Sequence, residues 1–272
     1  MTNPLNTYHH VSRLLTCALS LSLLIPALSL RAADADAKTA AAGGASLFNG
    51  KDLTGWKTRD ANAKDKWKVA SKVAIDSGDP KKLAGTGEGG GEGAALVLEQ
   101  SGHGADLISE KSFGDCEVHV EVMYPKGSNS GIYLMGQYEI QVLDSAGKSK
   151  VGPGDLGGIY ITKAPSENAA KPAGEWQTFD IVFRAPRFEG GKKTENAKFV
   201  KVVLNGKTIH ENVEAPKPTG SELPGGEKPQ GPLMFQGDHG PVAFRNVRVR
   251  SMGERPAAGA AGADDAKPAA GK

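Results

Sequence analysis

The sequence predicts an all-β protein, built as an antiparallel sandwich or barrel. Apolar and polar residues alternate with a period of two through the middle of the chain, without a sustained 3.6-residue period. Turn residues separate these runs, since the chain has 36 glycines and 16 prolines. Asn205-Gly206 between two of the runs is a strong signal for a type I′ hairpin, because both turn positions must adopt a positive φ. Many short strands joined by such turns are typical of an antiparallel sandwich or barrel.

The clearest strand is predicted over Cys116–Met123, where Glu117, His119 and Glu121 lie on one face and three valines on the other. Further strands are predicted at residues 131–134, 138–143, 158–161, 176–183, 199–204, 207–210, 233–236 and 242–250. Carboxylates and histidine are suitable metal ligands, but a solvated strand face is the commoner explanation of such a row.

Three segments with few apolar residues are predicted to be loops. Residues 77–93 are rich in glycine and are expected to form a flexible surface loop, because no strand–loop–helix unit surrounds them as phosphate binding would require. Residues 189–196 are a charged insertion that interrupts an expected hairpin. Residues 214–229 are rich in proline and glycine and are predicted to form a long surface excursion.

The two ends of the chain differ in composition from the middle. Residues 14–30 form an apolar run that is short for a membrane span and is interrupted by serine and proline. We therefore predict a signal peptide over residues 1–35, a linker over 36–45, a folded domain over 46–252 and a disordered Ala/Gly/Pro-rich tail over 253–272. The mature protein is expected to be periplasmic or secreted and to have no membrane span. An uncleaved N-terminal anchor is the alternative.

Charge and cysteine content restrict the function further. The 33 Lys and Arg residues nearly balance the 31 Asp and Glu residues, so no overall field favours nucleic acid as a partner. Of the two cysteines, Cys17 lies in the predicted signal peptide and leaves Cys116 alone. An internal disulfide is therefore not expected in the mature domain.

Four blocks of sequence resemble, in order, the 3-keto-disaccharide hydrolase domain family. The first block, residues 47–56, reads L-F-N-G-K-D-L-T-G-W; the others are residues 129–134 with 138–144, residues 171–176, and residues 238–240 with 242–247. Together they extend over nearly the whole predicted domain. The resemblance implies a concanavalin A-like jelly roll with a carbohydrate site on the concave sheet face. It also implies cleavage of glycosides whose sugar carries a ketone at C3.

The chemistry of such a substrate defines which groups a site must supply. A ketone at C3 acidifies the hydrogen on C2, so a base can remove it to form an enolate. The enolate expels the C1 substituent, and water can add back to the unsaturated product. The site therefore needs a base at C2, a positive or hydrogen-bonding group at the C3 oxygen and an acid at the leaving oxygen. A divalent metal at the ketone would also serve, and the sequence leaves the cofactor unknown. An oxidoreductase that makes the 3-keto sugar is expected upstream.

Glu139, Asp144 and His239 are the candidates for proton transfer. Glu139 and Gln141 are two residues apart on a predicted strand and face the same way, whereas Asp144 needs a bulge or the strand end to join them. The amide of Gln141 stands where some jelly-roll glycanases have a carboxylate, which argues against a two-carboxylate mechanism. His239 lies in a turn before the last strand, and histidine is well suited to proton transfer near neutral pH.

Substrate-binding roles are predicted for Gln141, Asn129, Asp238 and Arg245. Asn129 precedes a strand, and Asp238 precedes His239 in its turn. Arg245 points away from the core by strand alternation, and a structural ion pair is an equally good interpretation of it. A non-catalytic carbohydrate-binding module is the alternative function, because a sandwich with one polar face would have much the same sequence pattern.

Overall fold

The computed structural model of the protein describes residues 44–91 and 93–253. The predicted signal peptide, most of the linker and nearly all of the predicted tail lie outside these residues. The described part of the chain contains one short 3-10 helix, Ala61–Lys66, and sixteen strands. In chain order the strands are β1 Ala45–Ser46, β2 Trp56–Thr58, β3 Trp67–Ile75, β4 Leu83–Glu88, β5 Ala95–Leu98, β6 Leu107–Phe113, β7 Cys116–Met123, β8 Asn129–Leu134, β9 Tyr138–Leu143, β10 Gln177–Arg184, β11 Arg187–Glu189, β12 Lys192–Glu195, β13 Ala197–Leu204, β14 Lys207–Ala215, β15 Gly231–Phe235 and β16 Val242–Ser251.

The strands form two antiparallel sheets and a separate hairpin, which confirms the predicted fold class. The larger sheet has nine strands in the order β14-β13-β10-β7-β16-β5-β3-β4, with β1 paired to the end of β16. The smaller sheet has five strands in the order β2-β6-β15-β8-β9, and β11 pairs with β12 alone. Among the described residues, no helix has the length and apolar character needed to cross a membrane.

The core lies between the inner faces of the two sheets. The valines of β7 are fully buried there, as the alternation predicted, and Ile140 and Val142 of β9 face them from the smaller sheet. The rings of Phe235 in β15 and Phe244 in β16 stack at 3.9 Å between centroids and join the sheets. Burial of these side chains removes apolar area from water and drives the packing of the two layers.

The predicted hairpin between β13 and β14 is confirmed. Asn205 and Gly206 have φ values of 52° and 81°, as a type I′ turn requires, and Leu204 pairs with Lys207 across it. The predicted bounds of β7 and β9 also agree with the structure.

Two of the predicted loops instead contain strands. β4 lies within the glycine-rich segment and pairs with β3, so the prediction of a flexible loop over all of residues 77–93 was wrong. Glycine is needed there for close packing, because a Cβ on Gly85 would be 3.0 Å from the Ala70 Cβ and one on Gly87 would be 2.2 Å from the Ser71 Oγ. The charged insertion at residues 189–196 continues a hairpin, β11–β12, which turns at Gly190-Gly191.

The strand predicted at residues 158–161 is also absent from the described fold, because the chain turns there after a single pairing. Ile159 pairs with Ile140 on the outer edge of β9 and then with Lys163. The amide of Gln141 donates to Gly158 O at 2.8 Å, and the amide of Glu139 donates to Thr219 Oγ1 at 2.9 Å. The segments that contain Gly158 and Thr219 therefore cover the edge of β9, which would otherwise expose unpaired backbone groups.

Candidate functional site

The polar outer face of the five-stranded sheet brings together several of the predicted residues. β8 and β9 pair without a register shift, so Tyr133 lies opposite Glu139 and Gly131 opposite Gln141. β15 continues the first of these rows with Met234 opposite Tyr133. Because the intervening isoleucines face the core, these side chains point away from it.

Glu139 is buried at the centre of this face, with 2% of its surface exposed. The Tyr133 hydroxyl donates a hydrogen bond of 2.8 Å to Glu139 Oε2. The pKa of Glu139 is raised to about 8, mainly by burial; the Tyr133 hydrogen bond opposes this shift, and the negative charges of Asp238 and Asp106 add to it. The carboxyl group therefore retains its proton at neutral pH in most molecules.

Gly131 provides the space into which the Glu139 side chain extends. A Cβ at position 131 would lie 2.3 Å from Glu139 Oε1 and 2.8 Å from Tyr133 Cε2. Gly131 is not among the residues with a positive φ, so steric room explains the glycine better than backbone conformation does. The Glu139 carboxyl thus occupies the space that a side chain at position 131 would need.

Three side-chain amides lie on the same face next to Glu139. Gln141 Nε2 donates to Asn129 Oδ1 at 3.0 Å, so these two predicted residues are in contact. Gln236 follows β15, and its backbone N–H donates to Gly131 O at 2.9 Å, which holds the residue beside β8. Its Oε1 atom is buried and has no hydrogen-bond partner among the described residues, which leaves an acceptor for a water or a ligand. Gln236 was not predicted as a site residue.

Two acidic groups border the site from the loops that flank β6 and β15. Asp106 Oδ2 pairs with Arg59 Nε at 2.7 Å, and Oδ1 accepts the amide of Gly237 at 2.8 Å. Burial raises the pKa of Asp106 in spite of these contacts. Asp238 contacts His239 through Nδ1 of the imidazole, so Nε2 is the ring nitrogen that can face a ligand. Asp238 and His239, which were both predicted as site residues, remain partly exposed.

Asp144 does not join this group in the structure. The pairing of β9 is regular up to Leu143, and no bulge turns the next residue toward Glu139. Five residues of strand separate the two acidic residues by about 16 Å. Asp144 Oδ2 instead accepts the amide of Gly127 at 3.0 Å and supports the turn before β8.

Arg245 lies on the outer face of the other sheet, and the structure favours the ion-pair interpretation of it. Its Nε donates to Glu121 Oε2 at 2.7 Å, and its guanidinium stacks 4.1 Å from the ring centroid of Trp176. Asn246 occupies a bulge in β16 with a φ of 51° and donates to Glu121 Oε1 at 2.7 Å. A substrate held by Glu139 on the five-stranded sheet would therefore not reach Arg245 on the outer face of the nine-stranded sheet.

The row of Glu117, His119 and Glu121 on β7 also makes its contacts within the protein. Glu117 pairs with Arg250, and His119 Nδ1 lies 2.7 Å from Asp180 Oδ1. In residues 44–91 and 93–253, no group of three or more His, Cys, Asp or Glu side chains is placed to hold a metal ion.

Fold and site together define an antiparallel two-sheet β-sandwich protein with a buried, protonated carboxyl group on one outer face. Residues 43–250 match the model of the family described as the 3-keto-alpha-glucoside-1,2-lyase-like domain. The chain belongs to this family, and the resemblance found in the four sequence blocks is confirmed.

Individual relatives agree with this assignment. The chain is 30% identical over 262 residues to a 3-keto-disaccharide hydrolase of Bacteroides thetaiotaomicron, a match that spans 82% of this chain and 84% of the relative. A crystal structure from Parabacteroides distasonis, assigned only provisionally as a glycosyl hydrolase, is 26% identical with a TM-score of 0.56 and spans 77% of this chain and 84% of that one. A second structure from the same organism, at 20% identity and a TM-score of 0.51, spans 80% and 97% and supports the fold alone.

Proposed function

We propose that this protein cleaves the glycosidic bond of 3-keto-glycosides by removing the C2 proton and eliminating the C1 substituent. The family description and the name of the Bacteroides relative both refer to 3-keto sugars. The observation that carries the proposal is the buried Glu139 carboxyl, hydrogen-bonded to Tyr133 on a face lined with amides. Such a site can transfer a proton and hydrogen-bond several sugar oxygens.

Glu139 is the acid in this proposal. Its pKa of about 8 keeps the proton on the carboxyl at neutral pH, yet the group remains acidic enough to release it during a reaction. Donation to the leaving oxygen, directly or through one water, would neutralise the negative charge that develops there as the C1 bond breaks. Tyr133 holds Oε2, so Oε1 is the oxygen that faces the space beside Gly131.

His239 is the base in this proposal. Asp238 engages Nδ1, which orients the ring and leaves Nε2 to accept the proton from C2. The C2–H electron pair forms a C2–C3 double bond and the carbonyl pair moves to the C3 oxygen, which gives the enolate. When the carbonyl re-forms, a C1–C2 double bond is made, the C1–O bond breaks, and the leaving oxygen takes the proton of Glu139. Asn129, Gln141 and Gln236 would position the sugar through its hydroxyl and ketone oxygens. Addition of water to the unsaturated product would complete a net hydrolysis.

Two further parts of the proposal concern where the reaction takes place and what supplies it. The apolar run at residues 14–30 supports export to the periplasm or the medium. A glycoside with a ketone at C3 must be formed by oxidation of the C3 hydroxyl, so an oxidoreductase of that class must act before this protein.

The test is incubation of the purified protein with a 3-keto-glucoside that bears a chromogenic leaving group, beside the unoxidised glucoside and with and without a chelator. We expect release from the keto substrate alone, and at least a 100-fold lower rate for Glu139→Gln, since general acid–base catalysis contributes about 10²–10⁴-fold. The exposed Glu110→Gln on β6 is the matched control and should retain the wild-type rate.

A second pair of variants tests the placement of the carboxyl group without deleting it. Gly131→Ala should displace the Glu139 carboxyl and lower the rate, whereas Gly152→Ala, whose Cβ would meet only Asp155 at 3.8 Å, should not.

Sugar binding by the wild-type protein without release from either glucoside would overturn the enzymatic proposal and leave a carbohydrate-binding module.

A further inference from the structure

The turn at residues 159–163 places the backbone of an aromatic residue, Tyr160, against the edge of β9 at Glu139. The amide of Tyr160 donates to Glu139 O at 3.1 Å, so these two residues are neighbours across the edge of β9. Ile140 and Ile159 form the adjacent pair and both face the core. Tyr160 directly follows the inward-facing Ile159 at the start of the turn, and its backbone lies against the same edge of β9 that carries Glu139.

Tyr160 and its neighbour are exposed where large apolar residues are normally covered. Tyr160 is 36% exposed and Ile161 is 56% exposed. Within residues 44–91 and 93–253, these are the two exposed large hydrophobic residues. Scattered exposed apolar residues need no explanation. Here the two are consecutive and lie in the turn against the strand that carries the buried Glu139 carboxyl.

The ring of Tyr160 is flanked by glycines. A Cβ on Gly154 would lie 3.8 Å from Cε2 of the ring, and one on Gly220 would lie 3.9 Å from Cε1. Neither position carries a side chain that could cover these ring atoms, and 36% of Tyr160 is exposed, so part of the residue is open to a ligand.

The backbone at Ile161 adds an independent indication of a functional turn. Ile161 has a φ of 52°, a conformation that is unfavourable for a β-branched residue and requires about 1–3 kcal/mol from its surroundings. Amides of Thr162 and Lys163 both donate to Ile159 O at 2.9 Å and hold the turn closed. Strain of this kind is concentrated at ligand sites, where the geometry of the turn is needed.

We propose that Tyr160 is a platform on which a hexose ring of the substrate stacks, with Ile161 as the adjacent apolar rim, so that this turn determines affinity for the sugar. The inference rests on the proposed function and deepens it. The carbon-bound hydrogens of a sugar form apolar patches that fit an aromatic face, while the hydroxyls at the ring edge can reach the amides of Gln141 and Gln236. Tyr160 binds substrate in this scheme and takes no part in proton transfer.

Kinetics of Tyr160→Ala and Tyr160→Phe on the chromogenic 3-keto-glucoside test the platform. Loss of a stacked ring should raise KM about tenfold and leave kcat within about twofold, because the contact is equal in ground and transition states. Tyr160→Phe keeps the ring and should retain the wild-type KM. An unchanged KM in the alanine variant, with normal turnover, would overturn the platform and leave the proposed function intact.

A binding experiment separates the platform from the enzymatic proposal. Calorimetric titration of an unoxidised α-linked glucose disaccharide into the wild-type protein and both Tyr160 variants measures sugar affinity without turnover. We expect about tenfold weaker binding for Tyr160→Ala and no change for Tyr160→Phe. If none of the three proteins turns over the keto substrate but only Tyr160→Ala binds the disaccharide more weakly, the platform stands and the enzymatic proposal fails. Equal affinity in all three proteins would overturn the platform.

Discussion

The Glu139 side chain combines deep burial with a hydrogen bond to a neutral partner. Tyr133 stabilises the ionised carboxylate through its hydroxyl, but removal of the group from water and the nearby charges of Asp238 and Asp106 outweigh that contact. Arg59 stands next to Asp106 and compensates that carboxylate through its ion pair. The protonated form of Glu139 is therefore the one that the folded protein favours.

This burial should make stability depend on pH in a specific direction. The pKa of Glu139 is about 8 in the folded protein and near its ordinary value of 4.5 when unfolded. Between these two pKa values the folded chain binds one proton more than the unfolded chain. The free energy of unfolding therefore falls as pH rises from about 5, and the loss is complete above pH 8. Glu139→Gln should remove this decline and gain up to a few kcal/mol relative to wild type at pH 9, since one pKa unit is about 1.4 kcal/mol.

Urea denaturation of both proteins at pH 5 and pH 9 measures the effect, with Glu110→Gln as the exposed control. A constant difference between wild type and Glu139→Gln at the two pH values would mean that the carboxyl titrates normally.

The sequence allowed part of the site to be predicted at this scale. Alternation placed Glu139 and Gln141 on one face because both lie on the same strand. Tyr133 and Gln236 were not assigned to that face, because their positions depend on the register of β8 and β15, which are far apart in the sequence. Asp144 was included on spacing alone, and the regular end of β9 keeps it away.

Strands with an alternating pattern were predictable as elements, and strands made of small residues were not. β7 carries Cys116 and three valines on its inward positions, so its bounds followed from the sequence. β4 reads L-A-G-T-G-E and contributes mainly backbone hydrogen bonds to β3, which leaves no periodic signal. The segment at residues 158–161 has strand-forming residues, but the turn closed by Ile159 and Lys163 prevents further pairing.

The hairpin between β13 and β14 depends on the side chain of Asn205 as well as on its backbone. Its Nδ2 donates to Ala169 O and Gln177 Oε1 at 2.8 Å each, and its Oδ1 accepts the amide of Thr178 at 2.8 Å. Asn205→Gly should lower the free energy of unfolding by about 1–3 kcal/mol through these lost contacts. Asn205→Ala should lower it by about 1 kcal/mol more, because alanine disfavours a φ of 52°.

Denaturant unfolding of the two variants beside wild type measures both contributions. Equal stabilities of the glycine and alanine variants would show that backbone conformation contributes nothing at this turn.

The two sheets of the molecule carry different kinds of polar outer face. On the five-stranded sheet the carboxyl and amide groups surround a glycine, and Gln236 Oε1 has no described partner. On the nine-stranded sheet the acidic side chains of β7 are paired with arginines or His119. Sequence alternation identified both faces as polar, and only the three-dimensional pairing shows which of them is engaged internally.

Arg245 should consequently contribute to stability and not to activity. Arg245→Met leaves Glu121 half-buried without its strongest partner and should lower the free energy of unfolding by about 1–3 kcal/mol, a value reduced for the partial exposure of the pair. The kcat/KM on the 3-keto-glucoside should stay within about twofold of wild type. Adding Glu121→Gln to Arg245→Met should recover part of the stability, because it removes the unpaired charge.

Unfolding curves and steady-state kinetics on the single and double variants check both statements. A large fall in kcat/KM with unchanged stability would return Arg245 to the substrate site.

The covered edge of β9 gives the protein a built-in reporter of local opening. The amides of Glu139 and Gln141 donate to Thr219 Oγ1 and Gly158 O, and these acceptors belong to the segments that lie over the strand. Each amide can exchange its hydrogen for deuterium only when its covering segment moves away. Exchange at these two positions would therefore report the opening of each segment separately from global unfolding. A sugar bound against Tyr160 should slow exchange at Gln141, because its acceptor Gly158 lies in the same segment as Tyr160.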